Sequence, residues 1–236
     1  MTDGPIRAVA LLDDELRRAM YTFVRRARRP VTRDDVATTV GVSRKLAAFH
    51  LDKLADAGLL SVSHAAAGTR RTVGRAPKVY EPGDREIQVS IPQRRHDMLA
   101  GILLDAVLSD GDGESAREAT LRVARERGTQ LGTAERSRTR PGRLGAERAL
   151  TVACGVLERY GYEPARVRPT CVRLHNCPFH PLAAREPAAV CGLNHAFIGG
   201  LLAGLRARNL EAALEPRSGE CCVELRTASP PVRDDS

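Results

Sequence analysis

Residues 31–58 read "VTRDDVATTVGVSRKLAAFHLDKLADAG", and their punctuation decides how the first part of the chain folds. Thr32 stands where a side-chain oxygen caps a helix, and Asp35 takes the third position of a capping-box-like start. Gly41 ends that helix after two turns. Ser43 then caps a longer helix that Gly58 closes. Two helices joined by a tight turn containing Gly read as a helix-turn-helix. Upstream, "DDELRRAMYTFVRRAR" at 13–28 opens with acids and closes with arginines, as the helix dipole prefers. Leu16, Met20, Phe23 and Val24 share one face of it, and Pro30 stops it. Downstream comes "LLSVSHAAAGTRRTVGRAPKVYEPG" at 59–83. Leu60 and Val62 alternate with polar residues, "PKVYEP" is a second extended piece, and an Ala-, Gly- and Arg-rich tip lies between them. That predicts a β-hairpin wing behind the helix-turn-helix.

On the second helix of the motif, Ala47, Leu51 and Leu54 fall at i, i+4 and i+7 and are expected to face the core. Ser43, Arg44, Lys45, Ala48 and Phe49 are left facing outward at its N-terminal end, where such a helix meets base edges in the major groove. Arg44 suits guanine, and Ala48 or Phe49 suits a thymine methyl. The plainer reading is that Arg44 and Lys45 hold phosphates only. Arg70, Arg71, Arg75 and Lys78 on the wing are expected to grip phosphate or the minor groove. His50, mid-helix near the core face, reads as a packed, hydrogen-bonded histidine.

Charge supports a polyanion partner for this half. Of the formal +8, residues 1–95 carry +7 and residues 96–236 carry +1. Arginine supplies 34 of the 37 basic residues; a compositional bias could explain that preference, but not the asymmetry. No run of about 18 apolar residues stands out, so no membrane-spanning helix is expected. The start "MTDGPIRAVALLDDELRR" has acids within its apolar stretch, so a secretory signal is not expected and the cytoplasm is. In that reducing compartment six cysteines are not expected to form structural disulfides.

The pattern beyond residue 91 predicts helices at 92–109, about 114–136 and 144–161. It then switches to period 2 in "ARVRPTCVRLHNC", a strand or hairpin. A helix from Pro187 to about Leu205 follows, and "LEAALEPRSGECCVELRT" reads as two strands around "PRSG". The helix at 92–109 carries more apolar surface than one face needs, which suggests a dimer contact.

Residues 171–197, "CVRLHNCPFHPLAAREPAAVCGLNHAF", gather three cysteines and three histidines in one window. A hydrophobic core does not need thiols and imidazoles together, whereas a metal does. By spacing, Cys177, His180, Cys191 and His195 form a plausible tetrahedral zinc set. A thiolate-only set of Cys177, Cys191 and one of Cys221 or Cys222 suits an iron–sulfur cluster instead. Adjacent residues on a strand point to opposite faces, so one of that pair is expected to ligate. Cys221 shares the apolar face with Val223 and Leu225, and Cys222 is the reserve. Cys154, amid Val152, Val156 and Leu157, reads as an inert small hydrophobe.

The segments "SRKLAAFHLDKLADAGLL" and "GRAPKVY" resemble a widespread group of bacterial winged-helix transcriptional regulators. The segments "NCPFHPLA", "VCGLNHAFIGGLL" and "GECCVEL" are similar to the SufR family, the iron–sulfur-sensing repressors of suf cluster-assembly genes. The resemblance runs from about residue 6 to 226. It implies a homodimer whose cluster-loaded form binds a palindromic operator and is released when the cluster is lost. It also implies ligands at Cys177, Cys191 and the Cys221/Cys222 pair. The cyanobacterial type has four regularly spaced cysteines, and here Pro164 and Arg206 occupy two of those places. The fourth ligand is therefore open among Cys171, Cys222, a histidine and a small molecule.

The expectation is an α+β chain with a winged helix-turn-helix at 1–90, a helical linker and dimerisation region at 91–140, an iron–sulfur sensor domain at 141–228 and a disordered tail at 229–236. It is expected to be a regulator of double-stranded DNA holding a 4Fe–4S or 2Fe–2S cluster, and not an enzyme, since no nucleophile elbow, phosphate loop or acid pair is evident. The alternative is a winged-helix regulator with structural zinc that answers to another ligand.

Overall fold

In the computed structural model, which describes residues 3–64, 76–109, 113–140, 142 and 144–228, contacts separate the chain into Met1–Val89 and Ser90–Ser236. Both units are mixed α+β, each with one small antiparallel sheet.

The first unit begins with α1 (Asp3–Leu11) and α2 (Glu15–Ala27). Helix α1 was not expected, because one turn of it, around Ala8, is all that reaches the core. Asp14 caps α2, its carboxylate accepting from the Arg17 N–H at 2.8 Å. Strand β1 (Val31–Thr32) is followed at once by α3 (Arg33–Val40), and the Thr32–Asp35 capping box forms in full. Gly41 takes φ +75°, a left-handed conformation that L side chains resist, and its N–H closes α3 on the Ala37 carbonyl. Ser43 caps α4 (Arg44–Asp56), and Gly58 at φ +76° turns the chain into β2 (Leu60–His64).

Strand β3 (Lys78–Pro82) pairs antiparallel with β2 from Leu60↔Pro82 to His64↔Lys78, and on its other edge with β1. The sheet order is β1-β3-β2. Met20, Val24, Val31, Val36, Ala47, Leu51, Leu54 and Tyr80 make the core, as the periodicity of α2 and α4 requires. The expected wing tip with Arg70, Arg71 and Arg75 lies outside the described residues, as does the expected tail at 229–236.

The second unit contains α5 (His96–Leu108), α6 (Ala116–Thr139), α7 (Ala146–Arg159), the hairpin β4 (Pro164–Arg168) and β5 (Cys171–Leu174), the short α8 (Leu182–Arg185), α9 (Pro187–Gly204), and β6 (Leu210–Leu214) and β7 (Val223–Thr227). The sheet order is β4-β5-β7-β6, antiparallel throughout. A linker at 91–140 distinct from a domain at 141–228 is not what forms. Ile102 of α5 and Val123 of α6 share one core with Leu150, Leu174, Phe197 and Leu225.

Helix α9 bears on the expectation that no run of about 18 apolar residues stands out. Over its 18 residues it is apolar enough to cross a membrane by length and composition. Its apolar surface is spent on this core instead, chiefly against α6. Glycine makes that possible. A Cβ on Gly128 or Gly132 would fall inside contact distance of the Phe197 or Leu201 carbonyl, and one on Gly200 or Gly204 would strike the Arg125 or Thr129 carbonyl. The two backbones therefore touch along two opposed small-x3-small stretches, the kind of approach that only residues without bulk permit.

Candidate functional site

Two sets of residues were singled out, one in each unit. In the first, α4 presents its N-terminal face outward: Ser43, Arg44 and Lys45 are exposed, Ala48 is half-buried and Phe49 is 52% exposed. The Ser43 hydroxyl is committed to the cap, accepting from the Leu46 N–H at 3.2 Å. Arg44 lies 3.2 Å from Asp34 of α3, with both side chains in solvent. Lys53 sits 4.3 Å above the Phe49 ring, so a cation covers the exposed aromatic.

Asp52, one turn further along α4, accepts from the Tyr80 hydroxyl at 2.9 Å and from Lys78 Nζ at 3.1 Å. The hairpin is thereby tied to the helix, and Lys78 has a partner that the sequence did not disclose. Burial, followed by the bond to Asp52, keeps the Tyr80 hydroxyl protonated far above its ordinary range. His50 is buried as expected, but its Nδ1 has no hydrogen-bond partner. Burial lowers its pKa, so it stays neutral.

The second set lies in the other unit. Cys177 sits in the loop after β5, and that loop is held by a side chain the sequence reading passed over. Asn176, buried, donates to the Gln93 carbonyl at 3.0 Å and to the Gly161 carbonyl. Its own oxygen accepts from Arg94, which also donates to the Cys177 carbonyl at 3.1 Å. The Arg95 N–H donates to the Pro178 carbonyl. Phe179 is fully buried, edge-on to Tyr162. Cys191 comes from the second turn of α9.

Cys221 and Cys222 precede β7, which begins at Val223. The alternation that would send them to opposite faces therefore does not apply, and both are buried. The Cys221 N–H donates to the Leu174 carbonyl at 2.8 Å, and the Cys222 carbonyl accepts from the Glu215 N–H. The Cys177 and Cys221 thiols are neighbours, and so are those of Cys191 and Cys222. Three separate chain segments thus bring the four cysteines into one neighbourhood, as a run of thiol neighbours from Cys177 to Cys221 to Cys222 to Cys191.

Their electrostatics agree with a crowded, partly buried site. The neighbouring Cys221 thiol, then burial, pushes Cys177 well above the ordinary thiol range. Cys221 is raised to about 11: its bond with Cys177 pulls it down, but the Cys222 thiol and burial outweigh that. Burial also raises Cys191, against a lowering by Cys222. Cys177, Cys191 and Cys221 hold their protons at neutral pH, so a metal would have to displace them. A cavity of about 500 Å³ opens beside the group, lined among others by Cys177, Cys191, Cys222, His175, His180 and Arg94.

The remaining candidates stand apart. His195 is turned to β6, its Nε2 at 3.0 Å from the Ala212 carbonyl. It does not line the cavity that His180 lines, so the Cys2His2 set drawn from spacing is not gathered. Cys171 lies among Arg168, Arg173 and Glu224, and burial raises its thiol. Cys154 packs half-buried on the core. No three His, Cys, Asp or Glu side chains among the described residues already stand in a metal-holding arrangement. The four thiols are nonetheless the donor type that a soft metal or an iron–sulfur cluster takes, so their chemistry, though not a preformed geometry, fits such a group. No protein-family model, curated protein or solved structure matches this chain.

Proposed function

We propose that the chain is a DNA-binding transcriptional regulator, most simply a repressor, whose second unit holds an iron–sulfur cluster on Cys177, Cys191, Cys221 and Cys222. The convergence of those four thiols carries this reading. A core has no use for four adjacent sulfurs drawn from a loop, a helix and a strand lead-in. Four thiolates are the ordinary ligand set of such clusters. The second cysteine of the 221–222 pair, held in reserve by the strand argument, becomes the fourth ligand. A cluster bound there supplies labile, redox-active iron. The chain's own residues shield it (Phe179, Tyr162), brace its ligand loop (Asn176, Arg94) and leave one open side through the cavity.

The first unit is read as a winged helix-turn-helix. Helices α3 and α4 flank the Gly41 turn, and β2 and β3 form the wing. Arg44, Lys45, Ala48 and Phe49 face the major groove, and the Arg-rich tip with Lys78 faces phosphate. The chain would act as a homodimer on a palindromic operator, since two half-sites call for two-fold symmetry. Leu104, Val107 and Leu108 on the outer side of α5 are 58–75% exposed and offer the apolar contact. Metal status controls DNA only if the DNA-competent arrangement binds the metal group more tightly than its alternative does. In line with the SufR resemblance, the cluster-assembly genes are the proposed target.

The deciding experiment is anaerobic purification followed by visible spectroscopy and metal analysis. A brown protein with broad visible absorption is expected. Serine at Cys177, Cys191, Cys221 or Cys222 should remove the colour, and serine at Cys154 or Cys171 should keep it. A colourless protein with about one zinc per chain sinks the cluster, and equal colour loss from all six substitutions sinks the ligand assignment.

A further inference from the structure

At zero exposure Asn194 is the most deeply buried polar side chain among the described residues. The Tyr162 hydroxyl donates to its Oδ1 at 2.5 Å, and its Nδ2 donates to Cys221 Sγ at 3.2 Å. We infer that Asn194, oriented by Tyr162, is a positioning residue for the thiolate centre: it fixes the Cys221 sulfur and tunes whatever metal group that sulfur holds. The inference deepens the ligand set proposed above and rests on it.

The placement of a fully buried amide between the Tyr162 hydroxyl and the Cys221 sulfur carries the argument, and the direction of its bonds agrees with it. In a core made only for packing, a leucine would fill this place without needing two partners, and a buried amide is costly unless both of its ends are satisfied. With Cys221 protonated, the amide could turn over: the thiol could donate to Oδ1, and the Tyr162 oxygen could accept from Nδ2. With Cys221 deprotonated there is no S–H to give. Only one arrangement then satisfies every atom, with Tyr162 donating to Oδ1 and Nδ2 donating to sulfur. The chain Tyr162–Asn194–Cys221 is thus single-valued for a thiolate, the form a metal binds. Asn194 also lies one helical turn beyond Cys191 on α9, so a single helix delivers both a ligand and a donor to the group. Second-layer partners of this kind set ligand orientation, and hydrogen bonds to sulfur help set the reduction potential of iron–sulfur centres. An N–H directed at the sulfur favours the more negative, reduced state.

The test uses the full chain and the variants Asn194→Ala and Tyr162→Phe. The second keeps the ring in its pocket and removes only the hydroxyl that orients the amide. Cobalt(II) is titrated into metal-free protein and followed by thiolate charge-transfer absorption, and the midpoint potential of the brown protein is measured. Asn194→Ala is expected to bind cobalt about 10–100-fold more weakly, the usual range for loss of a second-layer partner, with a more negative potential. Tyr162→Phe should move both in the same direction by less, with a modest fall in melting temperature because the buried Asn194 oxygen loses its donor. If the Ala variant fails to fold, Tyr162→Phe decides alone. A brown wild type whose variants match it in affinity and potential overturns the inference, as does weaker binding at an unmoved potential, which would mean packing alone. A wild type that takes up neither cluster nor cobalt through thiolates overturns the functional reading itself, and the role of Asn194 falls with it.

Discussion

Gly199 and Gly200 are neighbours on α9, and they should respond to alanine in opposite ways. A Cβ at Gly199 meets nothing within 4 Å, whereas one at Gly200 runs into the Arg125 carbonyl of α6. Alanine stabilises a helix interior by about 1 kcal/mol over glycine, and at Gly199 that gain should appear nearly whole. At Gly200 the same gain is opposed by overpacking, which costs about 1–3 kcal/mol in well-packed cores. The upper end applies, because the obstacle is backbone rather than the end of a side chain, and relief requires the two helices to separate along their length. Gly200→Ala should therefore destabilise by about 2 kcal/mol net, leaving about 3 kcal/mol between the two variants. For a chain of this size that is about 6–12 °C in melting temperature. The assay is thermal and urea unfolding of each full-length variant by circular dichroism. A Gly200→Ala protein as stable as the Gly199→Ala protein would refute the direct backbone contact between α6 and α9.

Two further outcomes concern the first unit. Arg44→Ala should weaken specific DNA binding by about 1–3 kcal/mol and relax sequence choice; it should barely change stability, since its exposed pair with Asp34 is worth about 0–1 kcal/mol. Gel-shift titration on specific and random duplexes checks this, and equal losses on both would assign Arg44 to phosphate. Thr32→Ala should cost about 1 kcal/mol at neutral pH through the lost cap, and the loss should shrink in acid. The Thr32 N–H and hydroxyl hold Asp35 below its ordinary pKa, so its stabilisation is present above the unfolded-state value and fades as pH falls through the lowered one. Urea midpoints compared across that range measure it, and a Thr32→Ala deficit independent of pH would contradict the Thr32–Asp35 coupling.

Much of the first unit was legible because its signals are local. Thr32 with Asp35, Gly41, Ser43 and Gly58 each act within four residues of themselves, so caps and turns could be read directly. So could the core stripe of Ala47, Leu51 and Leu54. What escaped was non-local or too short to have a pattern: β1, two residues long, exists only because β3 lies beside it, and α1 meets the core through little more than Ala8. Lys78 reads as a free cation until Asp52, 26 residues earlier, is brought next to it.

The candidate metal site divides in the same way. Chemistry made Cys177 and Cys191 visible in sequence, because thiols crowd together for few other reasons. Strand alternation gives no ground for choosing between Cys221 and Cys222, because both precede the strand, which starts at Val223, and both are buried. Spacing also paired Cys191 with His195 on one helix, yet β6 captures that imidazole through the Ala212 carbonyl. The roles of Asn176 and Asn194 had no signature at all, since an asparagine shows its purpose only through the groups that fold back onto it.

The sequence by itself determined the long helices other than α1, the capped turns, the basic character of residues 1–95 and the residue types able to bind metal, because each depends on neighbours along the chain. Tertiary structure alone decided which thiols become neighbours, which amide reaches one of them, and that α9, apolar enough for a membrane by length and composition, lies against α6. Those outcomes depend on distances between segments tens of residues apart, which packing sets and local pattern does not encode.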